Sequence, residues 1–181
     1  MEVKDLQEHI DRKNWECLNS VKEYPLSNVL FKDRDDEKKI VKSDSDEQLL
    51  ITLNFDAIVT IKTIQITAPS DTGPSSIKLF VNPGSMNFDG AEEEDGTQEI
   101  ELSKDDLKKG AKPIKVKTVK FQKVSTLTIF VPGNQNDEEQ TIIQSIKLFG
   151  KSSIIEGSKP SLAQQKAASQ GDWLNSSNYG K

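Results

Sequence analysis

One cysteine and one histidine stand in 181 residues, and this scarcity excludes more chemistry than any motif present. With Cys17 alone, neither an internal disulfide nor a Cys-x-x-Cys dithiol cycle can be made within the chain. With His9 alone, a Ser–His or Cys–His pair would have to sit at the N-terminus, outside the predicted core. The nucleophile, base and orienting group of covalent hydrolysis cannot be assembled elsewhere. A tetrahedral zinc site is short of both nitrogen and sulfur ligands. Neither of the glycine strings that cradle phosphates, Gly-x-x-x-x-Gly-Lys and Gly-x-Gly-x-x-Gly, occurs. The chain therefore reads as a non-enzyme with no cofactor.

Long hydrophobic runs are also missing. None approaches the roughly 18 residues needed to cross a bilayer, and Met1–Asp5 opens a polar segment without a signal-peptide core. Hydrophobic residues make up 34% of the chain and mean hydropathy is −0.60, low beside compact domains, which have roughly 45–50% apolar residues when Gly is counted. The deficit sits mainly at the two ends. A net charge of −5 with a pI near 5.1 argues against nonspecific nucleic-acid or anionic-membrane binding. The single unpaired cysteine fits a reducing compartment. A monomer in the cytoplasm or nucleus is expected.

What is present is a series of short β-branched runs. From Leu49 to Gly150 they fall at about 49–55, 58–68, 76–81, 97–102, 114–121, 126–132 and 140–149, separated by Pro, Gly, Asn and Asp clusters. No helix-length amphipathic pattern divides them into βαβ units, so an antiparallel β-sandwich is predicted. Ile77, Leu79 and Val81 share one strand face, as do Leu127, Ile129 and Val131. Ile114 and Val116 are out of phase with Val119 and Phe121, which calls for a bulge near Lys117-Thr118. Val3, Leu6 and Ile10 have helical spacing and predict a short N-terminal helix over 3–10. Residues 24–46 read as a charged loop interrupted by a short strand at Val29–Phe31. After Gly150 the composition turns to Ser, Gln, Ala, Gly and Lys and predicts a flexible tail over 151–181.

Several of these runs form an ordered set: Glu16-Cys17-Leu18-Asn19, Asp46–Phe55, Ile77–Asn82, Val119-Lys120-Phe121-Gln122, Leu127–Val131 followed by Asn134, and Ile146–Gly150. The set resembles a PITH domain, the module named for the proteasome-interacting thioredoxin-like proteins, over about Trp15 to Gly150. The resemblance implies an antiparallel jelly-roll-like sandwich similar to galactose-binding domains. It also implies docking on the proteasome regulatory particle. In the best-known members a thioredoxin domain carrying a Cys-x-x-Cys pair precedes this module. Nothing similar is present, so the chain reads as a stand-alone PITH protein: an arm over 1–14, the sandwich over 15–150, and the tail.

Candidate sites are few. Lys112, Lys115, Lys117, Lys120 and Lys123 lie in a stretch without an acidic residue. Such lysines protect sheet edges from unwanted pairing; the functional alternative is docking of an acidic partner by Lys115, Lys117 and Lys120. The stretch contains Phe121 but no row of exposed aromatics for stacking bases, so nucleic acid is not expected there. Trp173 and Tyr179 in the tail are either a short docking motif or folded back on the domain. Acidic runs at Asp33–Glu37, Glu92–Asp95 and Asp137–Glu139 read as solvated loop charge and match no EF-hand spacing. His9 is expected on the surface, Trp15 as an anchor of the arm, and Cys17 as a small buried hydrophobe. The alternative function, a carbohydrate or small-ligand module, has Asn87 and Phe88 as its modest candidates.

Overall fold

A computed structural model describes residues 2–154. Its strands are β1 (Lys4–Asp5), β2 (Ile10–Leu18), β3 (Val41–Lys42), β4 (Leu49–Thr67), β5 (Ser76–Val81), β6 (Gln98–Glu101), β7 (Ile114–Lys115), β8 (Val124–Val131), β9 (Ile142–Ile143) and β10 (Ser145–Ser152). Two short helices, α1 (Ser27–Leu30) and α2 (Phe88–Glu93), lie in connections. The organising element is β4. Buried residues recur at nearly every second position along its 19 residues, so the runs at 49–55 and 58–68 form one strand. Its first part, from Leu49 to Asn54, pairs with β8, while β2 runs along Leu50–Phe55. Its last part pairs with β10 over 59–67 and with β7 at Thr63 and Ile64. The resulting eight-stranded antiparallel sheet has the order β1-β10-β4-β8-β5-β6, with β2 and β7 branching from β4, and it curls on itself. A separate ribbon joins β3 to β9.

The fold is thus the nearly all-β antiparallel architecture predicted. Its main core gathers Leu6, Leu26, Leu49, Ile51, Leu53, Ile64, Leu79, Phe121, Leu127 and Leu148 among others. Each such side chain contributes about 1.5–3 kcal/mol when fully buried. Leu50, Phe80, Phe130 and Ala91 form a smaller apolar cluster, to which α2 contributes Ala91. At the bulge between Phe149 and Gly150 the strands come so close that a Cβ on Gly150 would stand 1.9 Å from the Thr60 carbonyl oxygen.

Three local expectations are corrected. The helix predicted over 3–10 is a single 3-10 turn, Gln7–His9, between β1 and β2. Leu6 and Ile10 are buried, as their spacing suggested, but β1 pairs with β10, the Leu6 amide donates to the Leu148 carbonyl at 2.8 Å, and no side chain caps the turn. Pairing with an open sheet edge satisfies this backbone better than an uncapped helix would. Where a strand is predicted at Val29–Phe31, Val29 and Leu30 end helix α1 and Phe31 lies just past it. Val29, Leu30 and Phe31 are all buried, an arrangement that alternating strand faces would not favour in a half-covered ribbon. Finally, the phase conflict at 114–121 is resolved by a 3-10 turn, Thr118–Lys120, rather than by a bulge. That turn keeps Val116 and Phe121 inside and turns Val119 out.

Candidate interaction surface

The lysine segment is held rigidly from beneath. Strand β7 pairs Lys115 with Thr63, the Val116 amide donates to the Lys62 carbonyl at 3.0 Å, and the Ile61 amide donates to the Phe121 carbonyl at 3.0 Å. Two side chains fix its ends. Gln98 Oε1 accepts from the Lys117 amide at 2.7 Å. Asn82 Oδ1 accepts from the Ser125 and Thr126 amides at 2.8 and 3.0 Å, while its Nδ2 donates to the Lys123 carbonyl at 3.0 Å. On this frame Lys112, Lys115, Lys117, Lys120 and Lys123 are all exposed, and none of them forms an ion pair among the described residues. Val119 stands among them at 85% exposure, well above the other exposed large hydrophobic residues described, Val3 and Tyr24. Sequence reasoning placed Val119 in a strand and missed its exposure. The out-of-phase pattern of 114–121 was the signal for it.

The asparagines of the ordered blocks are latches. Asn19, with φ of 66°, donates to Asp46 Oδ1 and to the Gln48 carbonyl, each at 2.7 Å, and accepts from the Ser45 amide at 2.9 Å. Asn134, nearly fully buried, accepts from the Glu138 amide at 2.7 Å and donates to the Glu138 carbonyl at 2.9 Å. These side chains close loops on strand ends, which explains the blocks as fold determinants.

Other singled-out residues fare differently. Asn87 caps α2 by accepting from the Gly90 amide at 2.8 Å, and Phe88 packs edge-on to Phe130 with centroids 6.3 Å apart. Asn87 nonetheless remains exposed and Phe88 half-buried. His9 is not a surface residue: its side chain is 12% exposed and Nδ1 lies 3.5 Å from Asp56 Oδ1. Wedging the 3-10 turn against β4 leaves it partly buried. Trp15 and Cys17 pack on the main core, and burial pushes the Cys17 thiol up to about 12, with a hydrogen bond to Ser20 opposing. Among the described residues no three His, Cys, Asp or Glu side chains gather as a metal-holding group. Trp173 and Tyr179 lie outside the described residues.

The curled antiparallel sheet places the chain in the galactose-binding-like class of β-sandwiches. A family 32 CBM from Clostridium perfringens NanJ, solved in complex with galactose, superposes with a TM-score of 0.55 at 9% identity, covering 82% of this chain and 99% of that one. A fucolectin from striped bass serum does so with a TM-score of 0.56 at 8% identity, covering 84% and 50%. At these identities the likeness is one of fold. Within that class the chain belongs to the PITH domain family, whose description matches residues 1–169. It is 33% identical over 150 residues to thioredoxin-like protein 1 of Schizosaccharomyces pombe, covering 81% of this chain and 51% of that protein. It is 36% identical over 136 residues to the PITH domain-containing protein GA19395 of Drosophila pseudoobscura, covering 74% and 63%. The match thus spans about half to two thirds of these relatives' length.

Proposed function

We propose that this chain is a non-catalytic protein–protein interaction module that docks on the proteasome regulatory particle through the Lys115, Lys117, Val119 and Lys120 surface. Membership of the PITH family and the thioredoxin-like relative support the partner. The observation that carries the surface is Val119, exposed amid lysines that have no ion-pair partner among the described residues. A partner offering an acidic rim around a small apolar recess matches it. Charge would then speed encounter and repel wrong partners, whereas burying Val119 would slow dissociation. Elsewhere the chain is acidic, with a net charge of −5 overall, so long-range attraction orients an acidic partner toward this face.

The test is retention of regulatory-particle subunits from cytosolic extract by the full chain and by a variant carrying Lys115→Glu, Lys117→Glu and Lys120→Glu. Retention by the wild type and its loss in the variant, at unchanged melting temperature, is the expected result. No retention by the wild type at physiological salt removes the proteasome partner. Equal retention by both moves the interface off this face.

A further inference from the structure

A second feature lies on a different part of the surface. An open cleft of about 290 Å³ runs between the charged arm carrying Arg34, Asp35 and Glu37 and the turn at Lys109-Gly110. Its floor is the outer face of β4 and β10. Ile66, Ile146 and Leu148 are buried in the core, so the alternate residues Gln65, Thr67, Ser145 and Lys147 point the other way. Ser145 is the register partner of Thr67, and Lys147 of Gln65, which places the four in a compact block. Ser145 is only 3% exposed, and its Oγ has no hydrogen-bond partner among the described residues. A hydroxyl so placed donates readily to an oxygen brought against it.

The charges around this floor are uneven. Arg34, Lys109 and Lys147 line the cleft against Asp35 and Glu37. Arg34 is held by Asp5 in a two-point pair. Lys147 donates to Asp35 at 2.7 Å. Lys109 has no ion pair among the described residues, and its charge adds to those of Lys147 and Arg34 at the Asp35 carboxylate. Asp35 thus plays the part of an anion seated among cations. It belongs to an arm rather than to the sheet, and its side chain is 63% exposed.

We propose that this cleft receives an anionic oxygen group, a carboxylate or a phosphate, and that Asp35 is its displaceable internal occupant. The incoming oxygens would accept from Lys147, Lys109 and the Ser145 hydroxyl, a charge-assisted set. Glu37 at the rim opposes them and limits the affinity. The proposal does not depend on the proteasome partner.

The experiment is an amide-resolved NMR titration of the full chain with inorganic phosphate, and separately with acetate, at constant ionic strength held with sodium chloride. Saturable shifts at Gly110, Gln144 and Ser145 are expected, and whichever anion produces them identifies the chemistry. Lys109→Gln and Ser145→Ala should each weaken binding by about tenfold, the worth of one hydrogen bond to a charged group. Asp35→Asn should tighten it several-fold by removing the internal competitor, a gain that mere structural damage cannot produce. Lys22→Gln, an exposed lysine that does not line the cleft, is the neutral control. Absence of saturable shifts with both anions, weaker binding by Asp35→Asn, or indifference to Lys109→Gln overturns the proposal.

Discussion

The carboxamide of Asn19 lies 2.7 Å from the Asp46 carboxylate and ties the end of β2 to the loop that leads into β4. The same side chain meets the Gln48 carbonyl and the Ser45 amide, and its backbone is left-handed at φ 66°. Two separable costs follow from its replacement. Asn19→Gly removes the hydrogen bonds but keeps the backbone conformation easy, and should cost about 1–2 kcal/mol. Asn19→Ala adds left-handed strain and should cost roughly 1 kcal/mol more. Urea denaturation midpoints measure both, and equal losses in the two variants would show that the strain contributes nothing.

Gly150 offers a sharper case. An added methyl would lie 1.9 Å from the Thr60 carbonyl oxygen and 2.9 Å from its carbon, both backbone atoms that cannot rotate away. Gly150→Ala must therefore part β10 from β4 at the bulge, and a loss of at least about 3 kcal/mol is expected. A melting temperature within a degree or two of wild type would show that the bulge relaxes freely.

Both residues belong to blocks that were visible in the sequence, and the reason is physical. Alternation at period two in Ile77–Val81 and Leu127–Val131 reports a strand with one face in the core, so the antiparallel sandwich was legible; that Phe80, Thr128 and Phe130 on the opposite faces are buried too was not. The N-terminal turn was not, because Leu6 and Ile10 are buried by a strand-turn-strand as well as by a helix. Helix α1 was hidden by the β-branched and aromatic character of Val29–Phe31. The lysine face was partly legible: charge is a property of sequence, but the exposure of Val119 depends on where a strand stops. The cleft was illegible, since Arg34, Gln65, Lys109 and Ser145 meet only through long-range pairing.

The Cys17 thiol supplies a prediction with a definite sign. Its ordinary value of 9.0 is raised to about 12 in the folded chain, chiefly by burial. The folded state then holds a proton that the unfolded state has lost between these values. Stability from this group is complete below pH 9 and falls as pH rises toward 12. At pH 8 the thiolate is roughly a thousandfold scarcer in the folded chain. Iodoacetamide should accordingly modify Cys17 far more slowly than it does in urea-unfolded chain. Comparable rates would mean that the thiol is open to solvent and that the half-buried position does not protect it.

Val119 separates stability from recognition. At 85% exposure, its side chain adds little to the fold, whereas its neighbour in the same turn, Phe121, is fully buried. Val119→Ala should leave the unfolding free energy within about 0.5 kcal/mol. Phe121→Ala should cost about 3–5 kcal/mol by opening a cavity in the main core. If Val119 is the apolar anchor of the docking face, its truncation should weaken partner retention by roughly tenfold, through faster dissociation rather than slower association. The lysine substitutions should do the reverse, lowering the association rate most at low salt. Surface plasmon resonance with immobilised regulatory particle, run at two salt concentrations, resolves the two effects. A Val119→Ala variant with wild-type dissociation would remove the anchor from the interface.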